Sequence, residues 1–268
     1  MCGRYAVTTD PAKLAAEIDA RNEVPSDADA APDTGPAPGA SRTVTAPNYN
    51  VAPSTTVMTV VDRHDPPTPL RTDCDPDLPA VRRVRAMRWG LIPPWTKEFG
   101  KGPLLFNARA ETVTTKPAFR SSAKNKRCLF PMDGWYEWRK GPLDSRGKPT
   151  KIPYYMTPED GSRLYMGGLW SAWRSPEDRE AGNDDAWISS ATILTTEAVG
   201  AHRKIHDRMP LIMPVEYWAA WLDPDRPVDP DLLAPPDLAL ADAIEIREVS
   251  PLVNRVSNQG PELLEPVS

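Results

Sequence analysis

Cys128-Leu129-Phe130, followed after Pro131 by Met132-Asp133-Gly134-Trp135-Tyr136-Glu137-Trp138, sets the fold of this chain. The first run is short and wholly apolar, which fits a strand buried on both faces, with Cys128 in the core. The second turns at Asp133-Gly134 into an aromatic-rich strand. Outward from this pair, β-branched and apolar runs predict strands at 4–8, 56–61, 85–92, 104–112, 153–156, 164–170, 187–194, 211–213 and 245–249. Helices are predicted at 10–20, where Asp10 is the N-cap, Pro11 lies in the first turn and Leu14 and Ile18 mark the buried face, and at 117–123, 197–205 and 215–222. Loops are expected at 65–79, with Cys74 as an exposed bystander, and at 141–151 and 174–186. Many short strands with a few peripheral helices read as an α+β fold with a curved, barrel-like mixed or antiparallel sheet.

The 268 residues are read as one domain, 1–268, interrupted by loops that hold most of the 32 prolines. Residues 25–47 are rich in Pro, Ala, Asp, Thr and Gly, with no large apolar residue between Pro25 and Val44, and are expected to be a flexible insertion. No run reaches the ~18 apolar residues of a membrane span, and the N-terminus lacks the features of a signal peptide, so a cytoplasmic protein is expected. Three cysteines without CxxC spacing support neither a disulfide framework nor a zinc site, so no metal or other cofactor is expected. The net charge of −5 hides a segregation. Eight Lys or Arg against two acids lie between Lys97 and Arg127, whereas Asp223 to Glu248 holds eight acids against two Arg. The basic segment suits a phosphate-attracting face and equally suits an ordinary solvated surface.

The first five residues, Met1-Cys2-Gly3-Arg4-Tyr5, carry the most specific chemistry. Removal of Met1 would leave Cys2 with an α-amine of pKa about 7.7–8.0 and a thiol of about 8.5 on adjacent carbons. An aldehyde meeting that pair forms an imine with the amine, and the thiol closes on the imine carbon to give a five-membered thiazolidine. An internal cysteine has no such amine. The plain alternative is a small residue in a frayed terminus.

Three further polar residues stand out. Glu137 lies among Trp135, Tyr136 and Trp138, where burial would raise its pKa and suit it to proton transfer, although an exposed strand carboxylate has the same local pattern. His206 precedes Asp207-Arg208 and reads either as a general acid or base or as a helix-dipole partner. Asn107, ending an apolar run, reads as an orienting group for the Cys2 amine or as a turn cap. Arg4, Arg109 and Arg208 each adjoin one of these candidates, and guanidinium forks grip phosphate oxygens. Some of the nine tryptophans, Trp95 among them, offer base-stacking surfaces, while most fill cores.

Seven segments in order resemble the SRAP (SOS response-associated peptidase) family: Met1-Cys2-Gly3-Arg4-Tyr5, Tyr49-Asn50-Val51-Ala52-Pro53, Trp89-Gly90-Leu91-Ile92-Pro93, Asn107-Ala108-Arg109-Ala110-Glu111-Thr112, Gly134-Trp135-Tyr136-Glu137-Trp138, His206-Asp207-Arg208-Met209-Pro210 and Asn258-Gln259-Gly260. They span essentially the whole chain. The resemblance implies a monomeric sensor of abasic sites in single-stranded DNA, cytoplasmic or on the nucleoid, that links Cys2 to the ring-opened sugar and so shields the site during replication. It implies that Asn107 positions the amine, that Glu137 and His206 manage protons, that Arg4, Arg109 and Arg208 hold phosphates, and that Pro53 and Trp95 meet the bases. A minor lyase activity is compatible with it. The alternatives are a cysteine peptidase using Cys2 and His206 and a non-enzymatic single-strand binder. Two departures stand out: 25–47 matches nothing in the family, and Thr96 follows Trp95 where some bacterial members carry a second tryptophan.

Overall fold

A computed structural model describes residues 2–25, 44–65, 79–183 and 186–267. Most of the 25–47 segment, Met1, and Cys74 with its surrounding loop lie outside the described residues. The elements in chain order are β1 (Arg4–Val7), α1 (Pro11–Glu17), β2 (Arg21–Asn22), β3 (Asn48–Val51), β4 (Thr56–Arg63), β5 (Val81–Trp89), β6 (Asn107–Arg109), α2 (Pro117–Asn125) and β7 (Arg127–Met132). There follow β8 (Gly134–Leu143), β9 (Pro149–Pro158), β10 (Leu164–Trp173), α3 (Pro176–Glu180), β11 (Ile188–Glu197), β12 (Arg208–Pro210), α4 (Trp218–Leu222), α5 (Leu238–Asp242) and β13 (Ile244–Glu248).

The α+β expectation holds, but the strands form two sheets rather than one. An antiparallel sheet runs β13-β9-β8-β1-β3. The larger sheet runs β12-β11-β10-β7-β4-β5-β2, with β6 added alongside β11. Parallel pairing of Ser190 with Arg88 and of Ala191 with Trp89 joins β11 back to β5, so β11, β10, β7, β4 and β5 close into a ring. Trp89 seats this closure: fully buried, it donates its indole N–H to Phe106 O at 2.8 Å and packs against Tyr5, Phe106 and Phe130.

The decisive pair behaves as its sequence implies. Every residue of β7 is buried, and Gly134 breaks the run so that β8 crosses into the other sheet. Thr8 N–H and hydroxyl both donate to Asp133 Oδ2 at 2.7 Å, tying the end of β1 to this turn.

Several boundaries differ from the sequence expectation. Residues 141–151 are mostly the far end of the β8–β9 hairpin, turned at Asp144, whose Oδ1 accepts from Arg146 and Lys148 N–H at 2.9 Å. The 104–112 strand shrinks to Asn107–Arg109, and the helix expected at 197–205 is a single 3-10 turn, Gly200–Lys204. There β11 continues to Glu197, because its end is paired with β6 on one side and β12 on the other. The strand expected at 211–213 instead lies at Arg208–Pro210. Arg127 is also misplaced by its charge. It is buried, and its guanidinium donates to the carbonyls of Ala123, Lys124, Trp221, Asp223 and Arg226, fastening the ends of α2 and α4. Uncapped helix carbonyls need donors, and Arg127 serves that need instead of joining a basic face.

Gly168, mid-strand in β10, has Phe130 and the Thr192 carbonyl where a side chain would begin: an added Cβ would lie 2.6 Å from Phe130 Cε2 and 2.8 Å from that oxygen. Gly168→Ala should destabilise the fold by about 1–3 kcal/mol. Urea unfolding checks this as a lowered midpoint at unchanged m-value.

Candidate functional site

The site forms where β1 enters the antiparallel sheet. Arg4, Tyr5 and Ala6 pair with Tyr136, Trp135 and Gly134 of β8, while Tyr5 pairs with Val51 of β3 on the other side. Continuing the β1–β8 register sets Gly3 opposite Glu137, and the Glu137 charge acts on the neighbouring Cys2 thiol. Cys2 is 0% exposed and Glu137 only 4%. From the ring sheet, β6 runs parallel to β11 with Asn107 beside Ile193, and Asn107 Nδ2 donates to the Cys2 carbonyl at 2.8 Å. Three predicted residues from three distant stretches therefore meet at the seam between the sheets.

The contact made by Asn107 is to the Cys2 carbonyl. Its Oδ1 is buried and has no hydrogen-bond partner among the described residues, which leaves an acceptor at the chain's N-terminal end. Electrostatics alter the expected reactivity of Cys2. Burial, and secondly the Glu137 charge, push its thiol well above the usual range. A thiol titrating near its free value is therefore not what the site holds. The resting sulfur is an S–H beside a carboxylate.

His206 lies on the turn between β11 and β12. Its Nδ1 accepts the Arg208 N–H at 2.9 Å and is 2.7 Å from Asp207 Oδ1. The amide contact calls for a lone pair on Nδ1 and the carboxylate contact for a proton there.

The three arginines differ in availability. Arg109 is exposed on β6. Arg4 is half-buried and donates to Asn50 Oδ1 at 2.7 Å and to Val253 O at 2.8 Å. Arg208 forks onto Glu111 at 2.6 and 2.9 Å and also reaches Thr195 O. Pro53 is half-buried beside the start of β4, and Trp95 is 55% exposed in the turn after Ile92. The backbone carbonyl of Thr96 next to it accepts the Trp173 indole N–H at 2.7 Å, which ties this loop to β10.

Three residues that the sequence reading left without a role support these groups. Asn50 Nδ2 donates to the Val253, Arg255 and Asn258 carbonyls and binds the C-terminal segment to Arg4. Glu111 orients Arg208. His202 is buried, stacks on Trp135 at 5.7 Å and has its ring Nε2 3.2 Å from Ala241 O, while its carbonyl accepts the His206 N–H at 3.1 Å. Asn50 and Glu111 lie inside two of the quoted segments, which was the available signal; His202 carried none. Among the described residues no cluster of three His, Cys, Asp or Glu stands ready for a metal, and no helix is long and apolar enough to cross a membrane.

The sequence model of the family described as SOS response associated peptidase (SRAP) matches residues 1–256. The chain belongs to the SRAP family. This SRAP chain is similar to YoqW of Bacillus subtilis, named an abasic site processing protein, at 38% identity over 223 residues, covering 82% of this chain and 86% of that one. It is also similar to the rat abasic site processing protein HMCES, at 30% identity over 240 residues, 82% of this chain and 65% of HMCES. A solved structure from Bacteroides thetaiotaomicron covers 100% of both chains at a TM-score of 0.70 and 22% identity, and so shares the SRAP fold.

Burial pushes the His202 ring below the ordinary histidine pKa. The unfolded chain then takes up a proton at this ring before the folded protein does. Stability is full above about pH 6.5 and is lost as pH falls through the lower folded-state value. Thermal melts of wild type should show this loss setting in below about pH 6.5, and the same stretch of the profile should flatten in His202→Gln.

Proposed function

We propose that this chain processes abasic sites in single-stranded DNA by linking itself covalently to the opened sugar through Cys2. The observation that carries the reading is the convergence of Cys2, Asn107 and Glu137 at the seam, with the Cys2 carbonyl held by Asn107 and its thiol kept protonated. A structural cysteine in a frayed end needs neither partner.

The chemistry follows from those contacts. Excision of Met1 exposes the Cys2 amine, and the unpartnered Asn107 Oδ1 is the acceptor that orients it. The amine nitrogen attacks the aldehyde carbon of the ring-opened deoxyribose, and loss of one water leaves an imine. The sulfur then adds to the imine carbon, and its proton ends on the nitrogen, which completes the thiazolidine. Glu137, beside the thiol, relays that proton, and His206 serves the sugar oxygen during ring opening. The amine must act first, because the thiol is held as S–H until the imine forms. Arg109 takes a flanking phosphate directly; Arg4 and Arg208 meet phosphates from guanidiniums oriented by Asn50 and Glu111. Trp95 and Pro53 receive the bases beside the lesion. The protein acts as a monomer in the cytoplasm, on nucleoid DNA. Breakage of the strand from the imine is a minor side path.

The relatives named as abasic site processing proteins support this reading. A cysteine peptidase is less well served: it needs a thiolate at neutral pH, and burial and Glu137 both disfavour one.

Intact mass after mixing the protein with a single-stranded oligonucleotide bearing one abasic site tests the proposal. The expected species is protein lacking Met1 plus DNA minus one water, absent in Cys2→Ser and absent with an intact strand. Protein lacking Met1 that gives no adduct would sink the reading. Glu137→Gln should slow adduct formation about 10²-fold or more, the usual scale of a positioned proton-transfer group, when followed on denaturing gels.

A further inference from the structure

A cleft of about 250 Å³ opens between the loop 93–105 and the start of β4. Its walls include Ser54, Arg88, Pro93, Thr96, Phe99 and Lys101. It is thus bracketed by the neighbours of Pro53 and of Trp95, and its inner wall, Leu105, is two residues from Asn107.

Arg88 is the unexplained group of this cleft. It is half-buried on β5, its guanidinium lies 5.4 Å from the Phe99 ring centroid, and Nη1 makes only a long bond, 3.3 Å, to Gly90 O. Its Nε is buried without an acceptor, and no carboxylate pairs with it among the described residues. Arg82, Arg83, Arg163 and Arg208 have carboxylate partners, and Arg4 and Arg127, which have none among the described residues, each donate at normal length to two or more carbonyl or amide oxygens instead. Burial alone acts on Arg88 and lowers its pKa, with no neighbouring charge offsetting it. A half-buried guanidinium beside an aromatic ring, with one long hydrogen bond to a carbonyl, is suited to take up an anion.

The far rim has the same character. Gly100 and Gly102 both adopt positive φ, +78° and +98°, with open space where a side chain would stand, so the backbone there lies bare to a ligand. Lys101 between them is exposed, and its one ion pair among the described residues is a 3.7 Å contact with exposed Glu98.

We infer that this cleft is a phosphate subsite, in which Arg88 at the floor and Lys101 at the rim hold a backbone phosphodiester of the strand as it leaves the abasic position. The inference rests on the DNA reading of the site and adds to it a contact made by neither Arg4, Arg109 nor Arg208. Its ligand is the diester of a single strand, gripped without reading the base.

The test uses the full chain carrying Cys2→Ser, so that no covalent bond forms, and an intact single-stranded oligonucleotide whose affinity is followed by anisotropy from about 50 to about 200 mM salt. Arg88→Gln should weaken binding several-fold at low salt and reduce the magnitude of the log K against log salt slope by about 0.7, the share of one single-strand phosphate. Arg88→Lys, which keeps the charge, should retain the slope. An unchanged slope in Arg88→Gln overturns the subsite. So does an equal slope loss in Arg88→Lys accompanied by a lowered melting temperature, which would make Arg88 a prop for the loop. If the Cys2→Ser protein binds no single strand at all, the DNA reading falls with the subsite, whereas binding with an unaltered slope removes the subsite alone.

Discussion

The site depends on the pairing of β1 between β8 and β3. The first residues of a chain ordinarily fray, because they have few partners to offset their conformational entropy. Here Tyr5 is paired in register with strands on both sides and packs its ring 5.3 Å from Trp89, the residue that also seats the closure of the ring sheet. Cys2, the residue that leads into this strand, is thereby held at depth rather than on a loose tail.

That depth sets the electrostatics. With Cys2 sealed and the Glu137 charge acting on it, the thiol is held in its protonated form. The surrounding scaffold is correspondingly stiff. His202 ties the turn bearing His206 to Trp135 on the strand that also carries Glu137, while Asn50 gathers three carbonyls of the C-terminal segment around Arg4. Residues 202–206 and the C-terminal segment are thus part of the site's geometry although far from Cys2 along the chain.

Positive charge is divided by function rather than by location in the sequence. Of the basic run from Lys97 to Arg127, Arg109 is exposed at the site, while Arg127 is a buried clasp on helix-end carbonyls. Arg88, outside that run, is a half-buried guanidinium beside Phe99 with no carboxylate partner among the described residues. Counting charges along a chain cannot separate these cases, because a guanidinium's availability depends on which carbonyls and carboxylates the fold delivers to it.

The sequence by itself determined the local order of this protein. The apolar run of β7 and the aromatic run of β8, the Asp10-Pro11 start of α1 and the seven segments with their polar residues were all legible, since each follows from side-chain pattern over a few neighbouring residues. Only the tertiary structure decided that the strands divide into two sheets, that β5 and β11 close a ring, that β11 runs to Glu197 with only a 3-10 turn, Gly200–Lys204, after it, and that Arg127 points inward. It also decided that Asn107 meets the Cys2 carbonyl and that the thiol is driven up rather than left near its free value. Those outcomes depend on groups more than a hundred residues apart being desolvated together, and desolvation is a property of the assembled neighbourhood that no short window of sequence contains.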